Sequence, residues 1–136
     1  MHLSFLWLSE CLPTPLIAIM QARELDKATE TLKGFVKTDD ALVARAAINL
    51  SFVYHLEGDV ASAEKYAKLA VDTEKYNARA LVNLGNTLFA RGEFDKAAAM
   101  YADALAAEAD CTEALYNQVR SRCVSVRDMH YLLNIF

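Results

Sequence analysis

The sequence predicts an all-α fold built from helix-turn-helix repeats, and three observations carry that prediction. The chain repeats itself at a spacing of 34 residues: Asn49-Leu50-Ser51 aligns with Asn83-Leu84-Gly85, and the same offset relates Gly58 to Gly92, Ala63 to Ala97 and Ala70 to Ala104. It continues through Ala46, Ala80 and Ala114, and through Asn49, Asn83 and Asn117. Both prolines, Pro13 and Pro15, lie in the first 20 residues, so nothing from Gln21 onward forces a helix break. Leu81, Leu84, Gly85 and Leu88 follow the i, i+3, i+4, i+7 spacing of one apolar helical face.

Each unit divides into two helices. With the first unit starting at Ala44 and the second at Ala78, helix A carries Ala47, Leu50, Ser51 and Tyr54, answered by Leu81, Leu84, Gly85 and Leu88. Gly85, and Ser51 in its place, are small because the partner helix approaches closely there. The turns fall at Leu56-Glu57-Gly58-Asp59 and Ala90-Arg91-Gly92-Glu93, with a glycine where helix A ends because a left-handed residue closes a helix at least cost. Asp59 and Glu93 then set a negative charge at the start of helix B, where the macrodipole favours it. Helix B shows Val60, Ala63, Ala67, Ala70 and Val71, then Phe94, Ala97, Tyr101, Ala104 and Leu105.

This organisation resembles the tetratricopeptide (TPR) repeat, and implies a short right-handed superhelix segment and a binding scaffold rather than an enzyme. The proline usual near the end of helix B is replaced by Lys75 and Ala109, leaving the inter-unit turns to Asn77 and to Asp110 or Thr112 as caps. Upstream, Glu24 to Val36 reads as helix B of an earlier, divergent unit. Downstream, Thr112 to Asn117 opens a third helix A, after which the pattern fails. The expected organisation is an apolar segment over 1–20, a TPR-like region over 21–117 with units 44–77 and 78–111, and a divergent tail over 118–136.

Composition narrows the function. An apolar fraction of 54% with a net charge of −4 excludes disorder, and no basic stripe is available to neutralise nucleic-acid phosphates. Cys11, Cys111 and Cys123, with His2, His55 and His130, are too scattered for a zinc site, and read as reduced thiols of a cytosolic protein. The apolar run over 1–20 has no basic n-region or Ala-x-Ala site for a signal peptide. Glu10, Pro13 and Pro15 interrupt it as a membrane span. It reads instead as a packed fragment of an upstream helix, with no membrane insertion. Asp39-Asp40 precedes a helix and reads as a cap; no phosphate loop, nucleophile elbow or cofactor motif is present.

In a TPR superhelix, helix A positions two, five, six, nine, twelve and thirteen face the concave side. The candidate protein-binding groove is therefore Arg45, Ile48, Asn49 and Phe52 from the first unit, and Arg79, Val82, Asn83 and Asn86 from the second. Tyr116 and Asn117 come from the third. His55, Leu56, Phe89, Ala90 and Glu113 fall on the same face. The asparagines Asn49, Asn83 and Asn117 form a ladder whose carboxamides either pair with a peptide backbone or bond within the repeats. The carboxylate clamp of chaperone-binding TPR domains (Lys, Asn, Asn, Lys, Arg) would fall on Ile48, Phe52, Asn83, Glu113 and Asn117, so one position of five fits.

Beyond the generic pattern, Ala47-Ile48-Asn49-Leu50-Ser51-Phe52-Val53-Tyr54, Lys75-Tyr76-Asn77, Gly92-Glu93-Phe94-Asp95-Lys96-Ala97 and Cys111-Thr112-Glu113-Ala114-Leu115-Tyr116-Asn117 resemble the polaris-type TPR subunit of intraflagellar transport complex B. The resemblance runs from about Leu25 to Asn117. It implies a non-enzymatic scaffold acting in cilium assembly, located at the cilium, basal body and cytoplasm. Its partners would be other complex B subunits, with the kinesin motor engaged indirectly. The alternatives are a generic cytosolic TPR adaptor or co-chaperone, and a regulatory TPR domain of a larger enzyme.

Overall fold

Alanine and glycine at fixed helical positions let two helices approach more closely than leucine would allow, and this architecture is built on such approaches. The computed structural model describes residues 25–38 and 42–133. They form six helices: α1 (Leu25–Thr38), α2 (Val43–Glu57), α3 (Val60–Thr73), α4 (Ala78–Ala90), α5 (Phe94–Ala107) and α6 (Thr112–Leu133). The segment 1–20 and the Asp39-Asp40 pair lie outside the described residues. No strand occurs among those described.

Each helix packs on its sequence neighbour, α1 on α2 through α5 on α6, and the first helices of successive units also touch, α2 on α4 and α4 on α6. The core is a file of small residues. Ala63, Ala67 and Ala70 of α3 and Ala97 and Ala104 of α5 are fully buried, as are Ala47 and Ala80 on the facing first helices. The expected helix B upstream is α1, which buries Ala28 and Leu32 against Leu50 and Val53 of α2.

Within each unit the close approach is made by a matched pair. In the second unit Tyr101 is 1% exposed and lies over Gly85, where an added Cβ would stand 2.6 Å from its ring. In the first unit the equivalent positions are Ser51 and Ala67. A larger residue on helix A thus stands with a smaller one on helix B, an exchange of volume across the register of the kind a close-packed contact tolerates.

The turns use the expected chemistry with one change. Gly58 and Gly92 adopt φ of 81° and 80°, the left-handed conformation that lets helix A stop and the chain reverse. Asp59 caps α3 by accepting from the Ser62 N–H at 3.1 Å. Asn77 caps α4 by accepting from Arg79 and Ala80, at 3.0 and 3.2 Å. Glu93 makes no side-chain cap; it pairs with Lys96 at 2.6 Å and Arg91 at 3.2 Å. At α6 the residue whose carbonyl accepts the first helical hydrogen bond is neither Asp110 nor Thr112 but Cys111, the 34-residue equivalent of Asn77. Its side chain goes to the core instead, at 4% exposure beside Ala114. Past Asn117 the helix does not stop: α6 runs unbroken through the expected boundary at 118.

Two glycines separate packing from propensity. Gly34, in α1, has no atom within 4 Å of a would-be Cβ. Gly34→Ala should raise stability by about 0.5–1 kcal/mol by removing glycine's entropy cost. Gly85→Ala should lower it by about 1–3 kcal/mol by displacing the Tyr101 ring. Urea unfolding of both variants checks the opposite signs.

Candidate functional site

The concave face is assembled from the first helices α2, α4 and α6, which lie side by side because their partners α3 and α5 form the outer layer. Between them opens a groove of about 700 Å³ lined by Phe52, His55, Asn86, Phe89, Ala90, Gly92, Phe94, Glu113, Asn117, Arg120 and Val124. Its floor is aromatic: Phe89 and Phe94 meet edge to face with ring centroids 5.0 Å apart. The Arg120 guanidinium carbon stands over Phe89, 4.1 Å from the ring centre, a cation–π contact that sets its charge beside the groove.

Hydrogen bonds tie the groove to the core. Asn86 Oδ1 accepts from the Tyr101 hydroxyl at 2.7 Å and from Asn117 Nδ2 at 3.1 Å, and Asn86 Nδ2 donates to Glu113 at 3.4 Å. Asn83 Nδ2 donates across the unit boundary to the Ile48 carbonyl at 2.9 Å and to Ser51 Oγ at 2.8 Å. Ser51 Oγ in turn donates to the Ile48 carbonyl at 2.7 Å. Of the two roles open to the asparagine ladder, Asn83 and Asn117 fill the internal one.

Of the other candidates, Phe52, Asn86 and Asn117 line the groove, and Tyr116 is exposed just outside its lining. Arg45 is exposed, while Ile48 and Arg79 are half-buried without lining the groove. Two candidates are corrected. Val82 is 2% exposed within the cluster of Leu81, Ala97 and Tyr101, and Asn49 is 5% exposed, so neither presents a side chain to a ligand. Val82 is covered by side chains of α5 and α6, Ala97, Tyr101 and Ala114 among them, which the spacing within one helix does not include. Arg120 and Val124 are further lining residues beyond Asn117, where the residue pattern of the third unit fails. Yet they stand 34 residues after Asn86 and Ala90, at concave positions nine and thirteen.

His55 is the singular titratable group of the groove. Among the described residues, its Nδ1 is the buried side-chain polar atom without a hydrogen-bond partner. Burial pushes its pKa below the ordinary 6.5; the Glu113 carboxylate pulls it back up and the Arg120 cation pushes it further down. Burial also raises the Tyr101 phenol, which stays protonated as the donor to Asn86. Among the described residues no group of His, Cys, Asp and Glu is arranged to hold a metal ion. No described helix is long and apolar enough to cross a membrane.

The chain belongs to the tetratricopeptide repeat family, whose profile matches residues 54–123. This is a fold of protein-interaction scaffolds. Among curated proteins, the human intraflagellar transport protein 88 homolog is 43% identical over 61 residues, which are 45% of this chain and 7% of that protein. Among solved structures, the first TPR domain of Spaghetti (RPAP3), bound to the HSP90 peptide SRMEEVD, superposes with a TM-score of 0.76 at 19% identity. That match covers 82% of this chain and 88% of the other. The first TPR domain of human RPAP3, solved by NMR, gives 0.78 at 18% identity, covering 85% and 91%. At those identities the likeness is one of fold.

The depressed His55 pKa has a definite consequence for stability. The unfolded chain takes up the imidazole proton near pH 6.5, before the folded chain does, so stability present at pH 7 is lost as the pH falls below 6.5. The carboxyls of Asp59, Glu64 and Glu93, held below their ordinary values of 3.8 and 4.5, lose their contributions only at lower pH. Melting temperature should therefore drop between pH 7 and 5.5 in the wild type and drop less in His55→Gln. Parallel thermal scans of the two proteins measure the difference.

Proposed function

We propose that this chain is a non-enzymatic scaffold of intraflagellar transport complex B, holding a segment of another complex B subunit in the concave groove. The supporting observation is the 43% identity over 61 residues to the human intraflagellar transport protein. The RPAP3 domains superpose with TM-scores of 0.76 and 0.78 but share only 18–19% identity, which is a likeness of fold. On this reading the partners are other complex B subunits, the kinesin motor is engaged only through the assembled particle, and the sites of action are the cilium, basal body and cytoplasm.

The groove favours a segment that is apolar with amide-pairing backbone groups. Phe52, Phe89 and Phe94 supply apolar area, and the side-chain carbonyl oxygen of Asn117, whose amide nitrogen is held by Asn86, is the carboxamide acceptor at its edge. A second reading, an adaptor for chaperone tails, has the RPAP3 superposition in its favour, since that domain was solved with an HSP90 peptide. Its chemistry fits this groove poorly. The clamp positions hold Ile48, Phe52, Asn83, Glu113 and Asn117, with Asn83 already bonded to Ile48 and Ser51. An acidic peptide would meet the Glu113 carboxylate, and the single guanidinium of the lining, Arg120, is stacked on Phe89.

Affinity capture of the tagged chain from ciliated cells should recover complex B subunits. Arg120→Glu, a change at an exposed groove residue, should reduce that recovery several-fold. In parallel, the peptide SRMEEVD should show no saturable binding. A Kd below about 10 μM for that peptide, or capture of chaperones alone, would replace the ciliary reading with the adaptor one.

A further inference from the structure

The outer face of α6 is the counterpart of a surface that is buried one unit earlier. Leu81 is 5% exposed and Gly85 is buried because α5 covers them. Their 34-residue equivalents, Leu115 and Val119, are 54% and 55% exposed, and Val126 further along is 59% exposed. Leu115, Val119 and Val126 share one stripe of the helix, with the exposed Arg122 between them. Arg122 stands where α4 has Leu88.

We propose that this stripe docks an amphipathic helix from a partner protein, one presenting a small residue to Val119 and a carboxylate to Arg122. Two features specify that occupant. The interface is continuous with the one already built, because α6 lies on α5 as α4 lies on α3, and the next place in the series belongs to a helix B. Size points the same way: the glycine at 85 takes the Tyr101 ring, the equivalent positions one unit earlier are Ser51 and Ala67, and Val119, larger than glycine or serine, leaves room for alanine or glycine. Charge decides the rest. On the stripe itself the charged residue among Leu115, Val119 and Val126 is the exposed Arg122, so a helix that brings a carboxylate to that place is favoured.

The chain carries a sequence of the required kind. Antiparallel pairing that sets Tyr101 over Gly85 places residue 98 opposite 88 and residue 105 opposite 81. One unit earlier those helix B positions are Glu64, Ala67 and Val71 of α3, which would meet Arg122, Val119 and Leu115. The α3 sequence, residues 59–74, is therefore the probe. This docking uses the face turned away from the concave groove, and stands or falls independently of the ciliary reading.

A fluorescein-labelled 59–74 peptide, crosslinked on its solvent face so that it is helical when free, is titrated into the full chain by anisotropy. Saturable binding is expected with a Kd on the order of 10–100 μM. Val119→Arg and Arg122→Glu, both at exposed positions, should each weaken it at least about tenfold without changing the melt. A Glu64→Arg peptide should restore binding to Arg122→Glu. The equivalent 93–108 peptide, which carries Tyr101, should not compete. Absence of saturable binding overturns the proposal. So does equal binding of the Tyr101 peptide, or a chain dimer that Val119→Arg dissolves, which would give the face to a second copy. Binding that emerges only after removal of residues 1–24 would give it to the chain's own N-terminal segment.

Discussion

The seat of the Tyr101 ring on Gly85 is the contact on which the second unit and the groove both depend. It brings α5 against α4 at a separation no larger residue at 85 would permit. It also delivers a buried phenol to the edge of the concave face, where its hydroxyl donates to Asn86. Asn86 then accepts from Asn117 of the next helix. One aromatic side chain thus joins outer layer, inner layer and following unit. A buried tyrosine earns that place only because its polar tip finds a partner at the rim of the core.

The first unit solves the same problem by other means. With Ser51 and Ala67 in place of Gly85 and Tyr101, no ring reaches the groove, and the serine hydroxyl becomes a relay. It donates to the Ile48 carbonyl and accepts from Asn83. Units that share a backbone geometry therefore differ in what they place between first helices: a serine–asparagine pair on one side of α4 and a tyrosine–asparagine pair on the other. Both arrangements satisfy polar groups that the close approach of the helices has removed from water.

Much of this fold is legible in the chain because its determinants are local. Gly58 and Gly92 terminate helices by their own conformational freedom, Asp59 and Asn77 cap by reaching two or three residues onward, and the alanine file marks each contact face. The groove was less legible because its exposure is decided between helices. Asn49, Asn83 and Asn117 occupy one register position, yet the first is buried and the other two are half-buried, since each has a different set of neighbours. Val82 is lost to the core for the same reason. Arg120 and Val124 were hidden differently: the pattern loses its consensus residues at Gln118 while the helix, and the face it presents, persist. Periodicity of geometry outlasts periodicity of residue type.

Among the described residues each helix packs chiefly on its sequence neighbours and on the adjacent first helices, so the units form an open series. Load applied along such a chain is carried in series. The hairpins α2–α3 and α4–α5 meet through small-residue faces, so the stability of the array is a sum of unit and nearest-neighbour seam contributions. A small rotation at an alanine-lined seam would change the pitch of such an array, and with it the width of the groove on its inner side.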